Sequence, residues 1–151
     1  MMETEEILES RLIAIIEKGV PGMFVIGMLT PFKSGEVKCA PDTHIAVSVD
    51  LASQDIDWRG LGVPCAYEAR ITVNYSMADD ASGNGFRDTC RAVRAALNSC
   101  AGDGCYMLSG DGVMCDGIAF NSTSTAFSDG DTDAMTKTYS LTIYSRTTKE
   151  N

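Results

Sequence analysis

One stretch near the middle of the chain constrains the fold more than any other. Tyr67, Ala69, Ile71, Val73 and Tyr75 alternate with Glu68, Arg70, Thr72, Asn74 and Ser76. A period of two places every apolar side chain of that run on one face of an extended strand. One face belongs to a core, and the other is wet or meets a partner subunit. Something apolar elsewhere in the chain must cover the first face.

Two segments have the pattern to do so. Ile7, Leu8, Leu12, Ile15 and Ile16 recur at three- and four-residue spacing, which makes one stripe on a helix. Thr4 is placed to cap it, Glu5 and Glu6 suit the positive end of its dipole, and Gly19 followed by Pro21 predicts a left-handed C-cap and a stop. A second helix is expected from about Asn84 to Asn98, capped by Ser82 or Asn84. Phe86, Cys90, Val93 and Leu97 form its buried side, and Arg87, Arg91 and Arg94 lie mostly off it.

The remaining apolar runs read as strands. Met23–Leu29 is a buried-strand candidate, and Ile45, Val47, Val49 and Leu51 alternate with polar neighbours. Cys105–Leu108 and Val113–Phe120 flank the turn signal Asp111-Gly112, and residues 121–127 extend or bulge the second of them. Tyr139, Leu141 and Ile143 mark a last strand within 135–146. The predicted order is α, β, β, β, α, β, β, β. This is an α+β fold, an antiparallel or mixed sheet with two main helices on one face. The 151 residues suit one domain over 1–151, with the tail from about 146 to Asn151 frayed.

Charge and cysteines narrow the function classes. With 21 acids against 12 bases the net charge is −9, so a general DNA- or RNA-binding role is disfavoured by phosphate repulsion. No apolar run has the length of a membrane span. The start of the chain is acidic and amphipathic, unlike a secretory signal, which makes the cytosol the expectation. The six cysteines (Cys39, Cys65, Cys90, Cys100, Cys105 and Cys115) show no C-x-x-C or C-x-x-H spacing, and His44 is the one histidine. Free, mostly buried thiols are expected, with no metal site and no redox motif.

The motifs tested for chemistry fail on their spacing. In the acidic loop Asp129-Gly130-Asp131-Thr132-Asp133, an EF-hand would need Gly and Glu where Ala134 and Ser140 stand. That leaves an irregular calcium loop or, more simply, a solvated one. Gly83-Asn84-Gly85 opens a helix, but Asp88 occupies the third glycine position of a dinucleotide fingerprint. His44 has no nucleophile signature to serve and reads as structural. No catalytic residue and no cofactor site is assigned. Trp58 stands in the Gly-rich segment 52–65 beside Asp55, Asp57 and Arg59 and is an interface-anchor candidate, against folding back onto its own core.

The order of elements resembles the tail terminator, or tail-completion, proteins of long-tailed bacteriophages and prophages. The likeness is carried by the N-terminal helix over Glu5–Lys18, by the strand Arg70-Ile71-Thr72-Val73-Asn74-Tyr75 running through a polar turn into the helix Cys90-Arg91-Ala92-Val93-Arg94-Ala95-Ala96-Leu97, and by the final strand Lys137–Tyr144. The resemblance implies a virion protein at the head–tail junction, assembled in the host cytoplasm. It implies a homo-oligomeric ring, commonly hexameric, that caps the tail tube and meets the head connector. DNA would pass through without specific binding, and the family has neither catalysis nor cofactor. In such a ring Asp129, Asp131 and Asp133 are expected to face the channel. Segments 52–65 and 102–112 match nothing in the family pattern. Two other classes stay open: a different tail or neck component, such as a tube protein, and a cytosolic ligand-binding or enzymatic α+β domain with 52–65 as its lid.

Overall fold

The computed structural model describes residues 4–28, 43–54, 63–76, 84–102, 108–110, 112–128 and 134–147. Helix α1 spans Thr4–Gly19 and α2 spans Asn84–Gly102; the strands are β1 (Val25–Gly27), β2 (His44–Gln54), β3 (Val63–Ser76), β4 (Val113–Ser128) and β5 (Ala134–Thr147). They form one five-stranded sheet in the order β1-β2-β3-β5-β4. Only β1–β2 is a parallel pair; the others are antiparallel. This is the expected α+β architecture with a mixed sheet.

The core is built from the predicted stripes. Leu8, Leu12 and Ile16 of α1 and Phe86, Val93 and Leu97 of α2 are buried against Ile45, Val47, Ala69, Ile71, Val73, Leu141 and Ile143. Each fully buried aliphatic side chain contributes roughly 1.5–3 kcal/mol. Helix α1 packs on β1 and β2, and α2 packs on α1 and β3. The Tyr139 hydroxyl of β5 donates to the Cys90 carbonyl of α2 at 3.0 Å, tying the second helix to the sheet. Cys65, Cys90, Cys100 and Cys115 are free and buried, as expected; Cys39 and Cys105 lie outside the described residues.

Several local expectations are corrected. Gly19 is not the left-handed C-cap: the helix runs through it, and Gly22, at φ 89°, takes the left-handed conformation. Gly19 serves instead as the place where the helices meet, because a Cβ there would stand 2.8 Å from Ala96 Cβ. The run 23–29 yields only the short edge strand β1, with Phe24 and Met28 exposed, since no strand covers its outer side among the described residues. Leu51 has the right parity but is exposed, because the burial alternation of β2 stops at Val49 and a bulge follows between Leu51 and Ser53.

The expected hairpin turn closes between Gly110 and Val113, but Leu108 before it is not part of a strand. Gly110 and Val113 exchange both backbone hydrogen bonds, at 2.8 and 2.9 Å, with Gly110 and Gly112 at positive φ. Leu108 is buried, and its carbonyl accepts from Arg11 Nη1 at 2.7 Å. Residues 105–107 lie outside the described set. Segment 121–127 both extends and bulges β4, with register shifts at Cys115/Gly117 and Phe120/Ser122. The last strand continues through Arg146 and Thr147, which pair with Pro64 and Val63, so fraying does not begin at 146.

The buried Glu9 was not foreseen. It sits on the covered side of α1 with no exposure, and its Oε1 occupies the space where a Cβ on Gly27 would go. Ile13 Cδ1 stands 2.8 Å from the same point, so β1 and α1 approach this closely only because residue 27 has no side chain.

Candidate functional site

The two faces of the sheet carry their charges differently. On the face away from the helices, Arg70 pairs with Glu68 at 3.1 Å, and Arg146 grips Asp116 through two bonds of 2.9 Å. Asp116 holds the Arg146 guanidinium above its ordinary pKa through that hydrogen bond. Thr72 and Thr138 hydroxyls lie 3.2 Å apart, and Asn121 Nδ2 donates to Thr142 Oγ1 at 2.7 Å. The two bulged residues of β4, Asp116 and Asn121, thus turn their side chains onto β5. His44 is half-buried at the start of β2, where the amide of its register partner Asn74 donates to its Nε2 at 3.2 Å; this is a cross-strand structural contact.

On the helix side, a cleft of about 410 Å³ opens between α2 and the β4–β5 hairpin. Its rim carries Arg87, Arg91, Arg94 and Lys137, and its floor includes Phe86, Met135 and Tyr139. The three arginines recur at i, i+4 and i+7, which sets them on one exposed side of α2 while Phe86, Cys90 and Val93 point into the core. Lys137 Nζ stands 5.6 Å from the centroid of the Tyr139 ring, a cation–π geometry. Burial pushes the Tyr139 hydroxyl up to about 12, with the Cys90 thiol adding and Arg94 opposing. Burial also pushes the Cys90 thiol up, against the pull of Lys137. Burial thus favours the neutral form of both groups. The cleft offers cationic donors over an apolar floor, the chemistry that holds a carboxylate or phosphate beside a hydrophobic side chain.

A second groove, of about 700 Å³, runs between α1 and α2 over Gly19, Ala92, Ala95 and Ala96, with Arg11 and Lys18 at its edges. It is shaped by the close crossing at Gly19. Among the described residues, no group of three His, Cys, Asp or Glu side chains is placed to hold a metal ion. No helix of the described chain is long and apolar enough to cross a membrane.

Trp58, Asp129, Asp131 and Asp133 all lie outside the described residues; the pair Ser128–Ala134 brackets the acidic segment. The cleft was not legible as a unit. Its available signal was three evenly spaced arginines in a chain where acids outnumber bases, and what the sequence could not show is that β5 brings Lys137 and Tyr139 against them.

No protein-family model matches the chain, and no curated protein matches it by sequence. Among solved structures, one chain known only by a sequence number aligns over 97% of this chain and 94% of its own length, with TM-score 0.52 and 16% identity. That likeness is one of fold. Another alignment, with TM-score 0.46 and 15% identity, covers 88% of this chain and 85% of a chain from the virion of a native gene transfer agent particle.

Proposed function

We propose that this protein is a structural subunit of a phage-like particle, a tail terminator that assembles into a homo-oligomeric ring at the head–tail junction. In this reading it caps the tail tube, meets the head connector, catalyses nothing and needs no cofactor. The supporting observation is that the three segments carrying the resemblance form one contiguous unit. The strand of Arg70–Tyr75 lies in β3 and pairs residue for residue with β5, from Arg70↔Ser140 to Tyr75↔Met135. The helix of Cys90–Leu97 lies over them, fixed by the Tyr139–Cys90 hydrogen bond. Sequence-distant pieces of a family pattern that assemble into one packed module are better support than the same pieces scattered over a surface.

The direct test is deletion of the gene from the phage or prophage that encodes it, followed by electron microscopy of the tails. A terminator predicts tails of uncontrolled length that fail to join heads, restored by the gene in trans. Tails of normal length would overturn the reading. Within it, Asp129, Asp131 and Asp133 face the DNA channel and keep it repulsive to phosphate. Reversing those three charges should then impair DNA passage with assembly intact, and normal infectivity would sink that part.

A further inference from the structure

We infer that the cationic cleft between α2 and the β4–β5 hairpin docks an acidic segment of a second copy of this chain, making the subunit contact heterologous. The inference rests on the ring reading above and gives it an interface. Four of the chain's 12 basic residues, Arg87, Arg91, Arg94 and Lys137, converge on this one cleft. On the opposite face Arg70 and Arg146 are already held by carboxylates of their own chain. No ion pair joins the four cleft cations to an acid among the described residues. Asp88, the acid nearest them on α2, lines a separate depression beside Gly22 and Met23. Cations that pair with no carboxylate among the described residues, in a chain of net charge −9, are complemented by the acids of a second copy.

A second, independent feature adjoins the same cleft. Strand β4 is the last in the sheet order, and Asn121–Ala126 along it is exposed and free of charge, proline and glycine. The opposite edge is blunted by shortness, since β1 has three residues, and the start of β4 is bent by its two bulges. From Ser122 onward the edge is regular and has no strand beyond it among the described residues, and Thr125 on it forms part of the cleft wall. A segment that added to this edge through its backbone would set alternate side chains over the cleft, where carboxylates meet the arginines. A nucleic acid fits less well. The cations stand around a concavity with an apolar floor rather than on a convex ridge that follows phosphates, and the chain as a whole has a net charge of −9. Edge and cleft on one side of the subunit, with acids elsewhere, make a head-to-tail contact that closes into a ring when the rotation allows.

Sedimentation velocity of the full chain over a concentration series tests this. The wild type should self-associate, and Arg91→Glu/Arg94→Glu should weaken association at least about tenfold with unchanged circular dichroism and melting. Lys137→Glu should act in the same direction, and Arg91→Lys/Arg94→Lys should retain most of the association. Undiminished association of the glutamate variants overturns the inference and leaves the ring reading standing. A wild type that stays monomeric at every soluble concentration overturns both. Retention of duplex DNA by the wild type but not by Arg91→Glu/Arg94→Glu would make the cleft a nucleic-acid contact and overturn the inference as well.

Discussion

The two ends of the sheet are built on opposite plans. At the β1–β2 end, α1 comes so close that a buried carboxylate, Glu9, fills the space left at Gly27, and where α1 crosses α2 Gly19 is packed against Ala96. At the β5–β4 end the last strand has a bare edge, large apolar side chains such as Phe120 and Tyr144 are half exposed, and a cleft separates the hairpin from α2. The first end is closed on its helix side by its own chain, although Phe24 and Met28 beside its short edge strand are exposed. The second offers backbone, cations and apolar surface to something else. The difference teaches where stability and contact are divided: substitutions at the closed end should unfold the protein, and those at the open end should leave it folded.

The largest effect is expected at Gly27. Gly27→Ala drives a methyl into Glu9 and Ile13, displacing a buried carboxylate, and should cost about 3 kcal/mol in a urea titration. At Gly19 the same change meets Ala96 Cβ at 2.8 Å, offset in part by about 1 kcal/mol of helix propensity. A net loss of about 1–2 kcal/mol should follow, and Ala96→Gly in the same chain should return much of it.

Tyr139 belongs to the floor of the cleft at the open end, but its ring is buried and tied to α2, so Tyr139→Phe tests the core beneath that end. Removing the hydroxyl leaves the Cys90 carbonyl with its helical partner alone, and a loss of about 0.5–1.5 kcal/mol is expected from thermal denaturation. The same hydroxyl makes stability pH-dependent. Burial raises both Tyr67 and Tyr139 to about 12 from the ordinary value of 10.0. A group whose folded pKa is raised contributes stability that is complete below its unfolded pKa and is lost as pH climbs through the folded one. Stability from these two should therefore fade between about pH 10 and 12, and absorbance titration should show them ionising above the ordinary tyrosine value. The smallest effect belongs to the free edge: Ser124→Lys should change stability by less than about 0.5 kcal/mol while weakening self-association. A large loss of stability there would erase the contrast between the ends.

What was legible in the sequence follows from what each signal depends on. The alternations of β3 and β5 and the stripes of α1 and α2 were readable because a two-sided element must repeat its apolar residues at its own period. Leu51 and the run 23–29 misled because burial depends on what lies above and beside a strand, and period alone does not carry that. Gly19 and Gly27 look like ordinary turn or strand glycines until another element is packed against them. Arg87, Arg91 and Arg94 were visible as an exposed row, but their meeting with Lys137 joins residues some fifty positions apart through strand pairing. Trp58 and the acidic residues 129, 131 and 133 were chosen by composition, and they fall outside the described chain.

The central claim, that the β4–α2 side is the assembly side, is tested most directly by amide hydrogen exchange at low and high protein concentration. Protection should rise with concentration along 121–126 and beside Arg87–Arg94, while α1 and β1 stay unchanged. Protection that rises at α1 and β1 instead, or nowhere as the protein associates, would contradict it.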